Sequence, residues 1–322
     1  MTVRTSILLM LALGAAFAAS ALLPFESLQT LFAEDRTLAL SLLVELRLPR
    51  ALLALAYGAT LGAAGAAVQA LFANPLASPD LTGTTSGAAL GAVVTAYLFG
   101  FAAPVALSVG SVLGALGALG LLLALAGPRA ETATLLLAGL AISALAGALT
   151  TLALALAPSP FAFYDAYDWL MGSLIDRSLD QAGFAALPAL ATIALLLRLG
   201  PALDRLALGE EVAQSLGNDV ARLRLQIICL TAFGVGACVA ICGAIGFIGL
   251  IAPIFARRLT RGHPGRAILP AALIGALLLT AADLVTRLAP LGRTLPIGVV
   301  TALIGAPFFL WLVAHMRWRL AS

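Results

Sequence analysis

Between Arg50 and Asp80 the chain carries no charged residue, and comparable apolar runs recur to its C-terminal end. A backbone placed in hydrocarbon must satisfy its own N–H and C=O groups, which leaves only helices and closed barrels. Barrel strands alternate apolar and polar residues, whereas these runs are continuously apolar and rich in Leu, Ala and Gly. With 62% hydrophobic residues, 10% charged residues and a mean hydropathy of +1.08, the chain has too little polar surface to cover a soluble globule. The expected fold class is therefore all-α, a polytopic membrane bundle.

A span takes about 20 apolar residues. The candidate spans are a first helix running to Leu23, then roughly 48–72, 83–101, 104–126, 132–157, 182–199, 223–243, 244–259, 267–288 and 295–316. That makes about ten helices in one membrane domain, residues 1–322, with both ends on one side. The N-terminal segment, with Arg4 and small residues near Ala18–Ala21, imitates a secretory signal peptide. Its apolar run extends to Leu23, which favours a first membrane helix. With the N-terminus inside, twelve arginines fall on inner segments and six on outer ones, in agreement with the positive-inside rule.

Several chemistries are excluded. All eighteen basic residues are arginine, so neither a lysine Schiff base nor a P-loop, whose motif needs lysine at the phosphates, is available. Cys229, Cys238 and Cys242 share one apolar run without metal-ligand spacing and read as buried small residues. His263 and His315 read as solvated side chains. No cofactor, catalytic residue, metal site or nucleic-acid partner is expected. Within the drawn spans Asp283 is the only acidic residue, with Arg287 one turn beyond it, which offers little to an ion-coupled or proton-coupled secondary carrier, the alternative reading.

Other residues suggest packing or a path. Gly58, Gly62 and Gly65 lie on or near one helix face and permit close helix approach. Gln69 either hydrogen-bonds a neighbouring helix or faces an aqueous path. Asn74-Pro75-Leu76, Ser78-Pro79-Asp80 and Gly83 break the helix at the inner surface. Gly58, Gly65 and Pro75 recur at a constant offset as Gly236, Gly243 and Pro253, a weak sign of duplicated halves. The inner stretch Pro201–Arg224 contains Gly209-Glu210-Glu211 and Leu216-Gly217, which predict a short amphipathic helix closed by a glycine cap. Such a helix lies on the membrane surface or docks a partner.

These residues carry a resemblance. RLPR at Arg47–Arg50, NPLASPDLTGTTSG from Asn74, WLMGSL at Trp169–Leu174, LGEEVAQSLG at Leu208–Gly217, GAIGFIGLIAP at Gly243–Pro253, ADLVTR at Ala282–Arg287 and LPIGVVTALIGAPFFLWL from Leu295 stand in order. In these the chain resembles the permease subunits of bacterial ABC importers for iron-siderophores, haem and vitamin B12, the FecCD type. The resemblance implies a ten-helix, type II importer bundle in the bacterial inner membrane with both termini cytoplasmic. It also implies a homodimer with the pathway at its axis, two cytoplasmic ABC ATPase subunits, a periplasmic substrate-binding protein and a metal-chelate cargo, a ferric siderophore before haem or cobalamin.

Residue by residue, Arg47, Arg50 and Arg287 correspond to outer arginines that pair with glutamates of the binding protein, for which exposed guanidinium groups are well suited. Interfacial snorkelling is the other reading of Arg47 and Arg50. Gly65, Gln69, Ser86, Gly87, Glu131 and Thr132 are assigned to the gate and translocation path; Glu131 departs from the small hydroxyl residue of that position, and Thr132 also suits a helix N-cap. ATPase coupling falls to Asn74, Pro75, Gly209, Glu210, Glu211, Leu216 and Gly217, within a cytoplasmic segment of about 201–222. Many relatives have a proline-histidine pair where this chain has Pro253-Ile254, so no role passes to Ile254.

Overall fold

The computed structural model describes residues 3–100, 103–127, 132–157, 159–288 and 295–321. The described residues form helices and turns without a strand. Chain order is α1 (Val3–Leu22), α2 (Phe25–Glu34), α3 (Arg36–Ser41), a π-helical turn (Leu42–Arg47), α4 (Leu48–Leu71), α5 (Thr84–Tyr97), α6 (Pro104–Ala126), α7 (Thr132–Ala155), α8 (Pro160–Leu170), α9 (Leu179–Leu206), α10 (Glu210–Ser215), α11 (Val220–Cys242), α12 (Ile248–Leu259), α13 (Ile268–Leu288) and α14 (Ile297–Ala321).

Each predicted span contains a helix, but their lengths differ in kind. Among the described residues, six helical stretches are long and apolar enough to cross a membrane: Arg36–Leu71, Val105–Leu125, Thr134–Ala155, Leu179–Leu206, Val220–Cys242 and Gly265–Leu288. Two shorter apolar stretches are Ile7–Leu22 and Ile297–Leu312. The 14 residues of α5 and 12 of α12 rise only about 21 and 18 Å at 1.5 Å per residue, short of a hydrocarbon core of about 30 Å. The eighth span starts later than expected, because Gly243 (φ 72°) stops α11 and Phe247 (φ 67°) delays α12. Helices α2 and α8 fall outside the predicted spans because they are short and polar, whereas α3 is the leading part of the Arg36–Leu71 stretch, ahead of the span expected from residue 48.

Local signals set several ends. Ser178 caps α9 through a reciprocal box with Gln181, at 3.2 and 3.0 Å. Asp35 accepts from the Thr37 and Leu38 amides at the start of α3, and Asp219 from Arg222 at the start of α11.

The core is built around α4, which packs on α13, α9, α12 and α11. Glycine explains the close crossing: a Cβ on Gly58 would strike the Gly275 backbone, one on Gly62 the Ala271 carbonyl, and one on Gly65 the Gly249 carbonyl. Small faces of this kind let backbones meet where side chains give little solvent-driven gain. The packing also bears on the suspected repeat. Helix α4 lies against α12 and α13 much as α11 lies against α5 and α6, and Gly58 and Gly236 both face those partners. Gly65 and Gly243 do not correspond, since the first is inside α4 and the second ends α11.

Candidate functional site

At one end of the bundle, Asp283 on α13 accepts from two guanidinium groups. Arg50 Nε lies 2.8 Å from Asp283 Oδ1, and Arg287 Nη2 lies 2.6 Å from Oδ2. Arg50 Nη2 also donates to Thr286 Oγ1 (3.1 Å), whose hydroxyl donates to the Asp283 carbonyl (2.7 Å). Arg287 reaches α1, donating to the Ser20 carbonyl at 2.6 Å and to Ser20 Oγ at 3.2 Å. Arg47 Nη1 donates to the Leu22 carbonyl at 2.9 Å. The side chain of Asp283 is 1% exposed, those of Arg50 and Arg287 17% and 10%.

The expectation of freely exposed guanidinium groups is therefore corrected for Arg50 and Arg287. Asp283 and Arg287 share a face of α13 at i,i+4 spacing, and the start of α4 brings Arg50 against the same carboxylate. A cation at an apolar boundary is costly unless paired, so the arginines are held by their own chain.

The second cluster is where two helices break. After α4, Asn74 Oδ1 accepts from the Leu76 amide (2.9 Å) in an Asx turn, then Asp80–Thr82 form a 3-10 turn ending at Gly83 (φ 79°). Gly249 packs against the Leu61 carbonyl and the Pro79 ring. Leu61 lies just past the middle of the 24-residue α4, so the chain re-enters the bundle to mid-depth before α5 begins. The α11–α12 break arrives at the same level. Tyr57, fully buried, donates to the Gly243 carbonyl (3.1 Å) and accepts from the Ile245 amide (3.3 Å). Gln69 Nε2 donates to the Leu250 carbonyl at 3.2 Å.

This corrects part of the predicted path. Gly65, Gln69 and Gly87 are buried between helices of the same chain, with Gly87 against Gly114 and Ala118; Ser86 alone of that group is partly exposed. Of the two readings of Gln69, the hydrogen bond to a neighbouring helix is the one adopted. Glu131 lies outside the described residues, as does the side chain of Thr132, the residue that opens α7. Asp80 was not singled out from sequence, yet it lines a cavity of about 430 Å³ with Ser78, Gly246, Phe247, Leu250 and Phe309. The available signal was its isolation, since it is the only acidic residue between Glu45 and Glu131.

Between α9 and α11, Gly209 (φ 110°) precedes the six-residue α10 and Gly217 (φ 82°) follows it. Ala213 is its buried anchor, and Asn218 Nδ2 donates to the Ala202 carbonyl of α9 (3.0 Å). Leu208, Val212 and Leu216 are exposed along it. An apolar ridge pinned at both ends by glycine turns suits reception by a partner's groove. Asn74 and Pro75 lie in the α4–α5 turn.

The sequence profile of the FecCD transport family matches residues 5–315. The chain belongs to that family. FecCD relatives include the vitamin B12 import permease BtuC of Vibrio cholerae, 43% identical over 84% of this chain and 82% of the relative. The Fe(3+)-citrate import permease YfmE of Bacillus subtilis is 39% identical over 83% and 80%. The Fe(3+) dicitrate permease FecD of Escherichia coli is 38% identical over 85% and 86%. An inward-facing metal-chelate type ABC transporter superposes with a TM-score of 0.80 at 33% identity, covering 95% of this chain and 97% of that one. PsaBC of Streptococcus pneumoniae, at 19% identity and a TM-score of 0.56, shares the fold. As a FecCD protein the chain is a transport permease of the metal-chelate, vitamin B12 and iron-citrate type.

Proposed function

We propose that this chain is the membrane permease subunit of an ATP-driven importer that moves a bulky metal chelate from periplasm to cytoplasm, a ferric siderophore ahead of haem or cobalamin. The observation that carries the reading is the near end-to-end match to import permeases for vitamin B12 and iron citrate. In this reading the bundle crosses the bacterial inner membrane ten times with both termini cytoplasmic. Two copies pair, with the pathway between them, and engage two ATPase subunits and a periplasmic binding protein.

The outer cluster of Arg47, Arg50 and Arg287 receives the binding protein. Its net charge stays positive after Asp283 is counted, which supports attraction of acidic side chains. The segment Leu208–Gly217, together with the Asn74-Pro75 turn, seats in the ATPase, and nucleotide-driven closure moves the bundle between discrete states. The exposed Leu208, Val212 and Leu216 support that assignment. The secondary-carrier reading lacks support, because the Asp283 carboxylate is already committed to two arginines.

The test is purification of the tagged chain with its cellular partners, followed by ATPase measurement in lipid. A bound ATPase that a loaded binding protein stimulates is the expected result; a lone permease indifferent to ATP overturns the reading.

A further inference from the structure

Asp80 is an ionisable residue at mid-depth of an apolar bundle, where such residues are costly and tend to mark a pathway. Burial penalises a charge here, and the groups around the carboxylate offset part of that penalty. Helix α5 starts at Thr84 and α12 at Ile248, so two half-helices place their N-terminal ends, with their partial positive charge, around the one carboxylate. The Phe247 N–H faces the Asp80 carboxylate. The Thr85 hydroxyl, on a residue 5% exposed, faces the same carboxylate.

Asp80 is partly exposed. Its cavity, which Ser78 also lines, is mostly apolar and walled by Phe247, Leu250 and Phe309. Helix α7 touches the turn from one side, where Ser143 Oγ donates to the Asp80 carbonyl at 3.1 Å, and α14 supplies Phe309 from the other. Both helices present large exposed apolar faces, Leu137, Leu140 and Leu145 on α7 and Leu303, Ile304 and Leu310 on α14. Asp80 thus lies between two helices that both carry uncovered apolar faces. A charge within low-dielectric walls acts strongly on whatever enters, because little water screens it.

We propose that Asp80 is a charge filter for cargo: the cavity passes metal complexes that are neutral or cationic and opposes polyanionic ones. The importer reading is assumed only for the nature of the cargo; the charge of the cavity is testable without it. The decisive measurement uses the thiol introduced by Phe309→Cys, in membranes, with two methanethiosulfonates, one carrying a trimethylammonium and the other a sulfonate group. The parent chain, with Cys238 and Cys242 buried and Cys229 partly exposed, provides the background, and both reagents are compared in a Cys229→Ser chain.

Relative to a free thiol, the cationic reagent should be favoured by about tenfold while Asp80 is present. Asp80→Asn should abolish that bias and Asp80→Glu should retain it; if Asp80→Asn does not fold, Asp80→Ser serves as the neutral variant. An equal ratio with and without the carboxylate overturns the proposal, as does a thiol that neither reagent reaches. In vesicles holding the permease and its ATPase, Asp80→Asn should raise uptake of anionic ferric citrate relative to neutral cyanocobalamin. An unchanged ratio there overturns the cargo assignment alone, while loss of ATPase association from the unsubstituted chain would count against the importer reading instead.

Discussion

Arg50 Nε lies 2.8 Å from Asp283 Oδ1, a contact between residues 233 positions apart that ties the start of α4 to the end of α13. Arg287 completes the arrangement from the other carboxylate oxygen and extends it to Ser20 on α1. Removing the shared carboxylate strands two guanidinium groups in a largely buried setting. Asp283→Ala should therefore destabilise the bundle by about 3–5 kcal/mol, against a smaller loss for Asp283→Asn, measured by unfolding in detergent. Equal stability of wild type and Asp283→Ala would show that the arginines find other partners.

The same geometry dictates how the docking role is tested. Arg50→Glu would set a second carboxylate against Asp283 and confound binding with folding. Arg47→Glu avoids that clash and should weaken binding-protein association about tenfold at low salt, with the difference shrinking as salt rises. Titration of binding protein onto the reconstituted permease at several ionic strengths reads this directly. Salt-independent, wild-type affinity would remove Arg47 from the interface.

Tyr57 joins α4 to the break between α11 and α12 through one hydroxyl that both donates and accepts. Tyr57→Phe keeps the ring volume and leaves the Gly243 carbonyl and Ile245 amide short of a buried partner. A loss of about 1–2 kcal/mol in unfolding free energy is expected, with helicity unchanged by circular dichroism.

Gly58 and Gly275 face each other across the α4–α13 crossing, where an added side chain would meet backbone. Gly58→Val should separate the two helices and cost about 1–3 kcal/mol or more. Gly117 and Gly120, around which a Cβ meets nothing within 4 Å, are the control, and Gly117→Ala should be nearly silent.

In the α9–α11 connection, Leu216→Asp changes an exposed residue after α10, so its effect on stability should stay within about 0.5 kcal/mol. Its effect on coupling should be large: ATPase association or cargo-stimulated hydrolysis should fall. Normal coupled uptake would remove this segment from the contact with the ATPase.

The helical membrane class, the approximate place of each apolar run and the breaks around Asn74 and Gly243 were legible from the sequence, because hydrocarbon demands long apolar runs and because glycine and proline interrupt helices by their own geometry. The ordered motifs from Arg47 to Leu312 likewise carried the family. Which side of each helix looks at what was not legible. Helices apolar all round show no inward stripe, so Gly65, Gln69 and Gly87 looked as suited to a path as to packing, and only the crossing of α4 with α12 and α13, and of α5 with α6, buried them. The pairing of Asp283 with Arg50, and the convergence of two half-helices on Asp80, depend on contacts between residues distant in the chain. Such contacts arise when the helices pack, and no local pattern in the sequence encodes them.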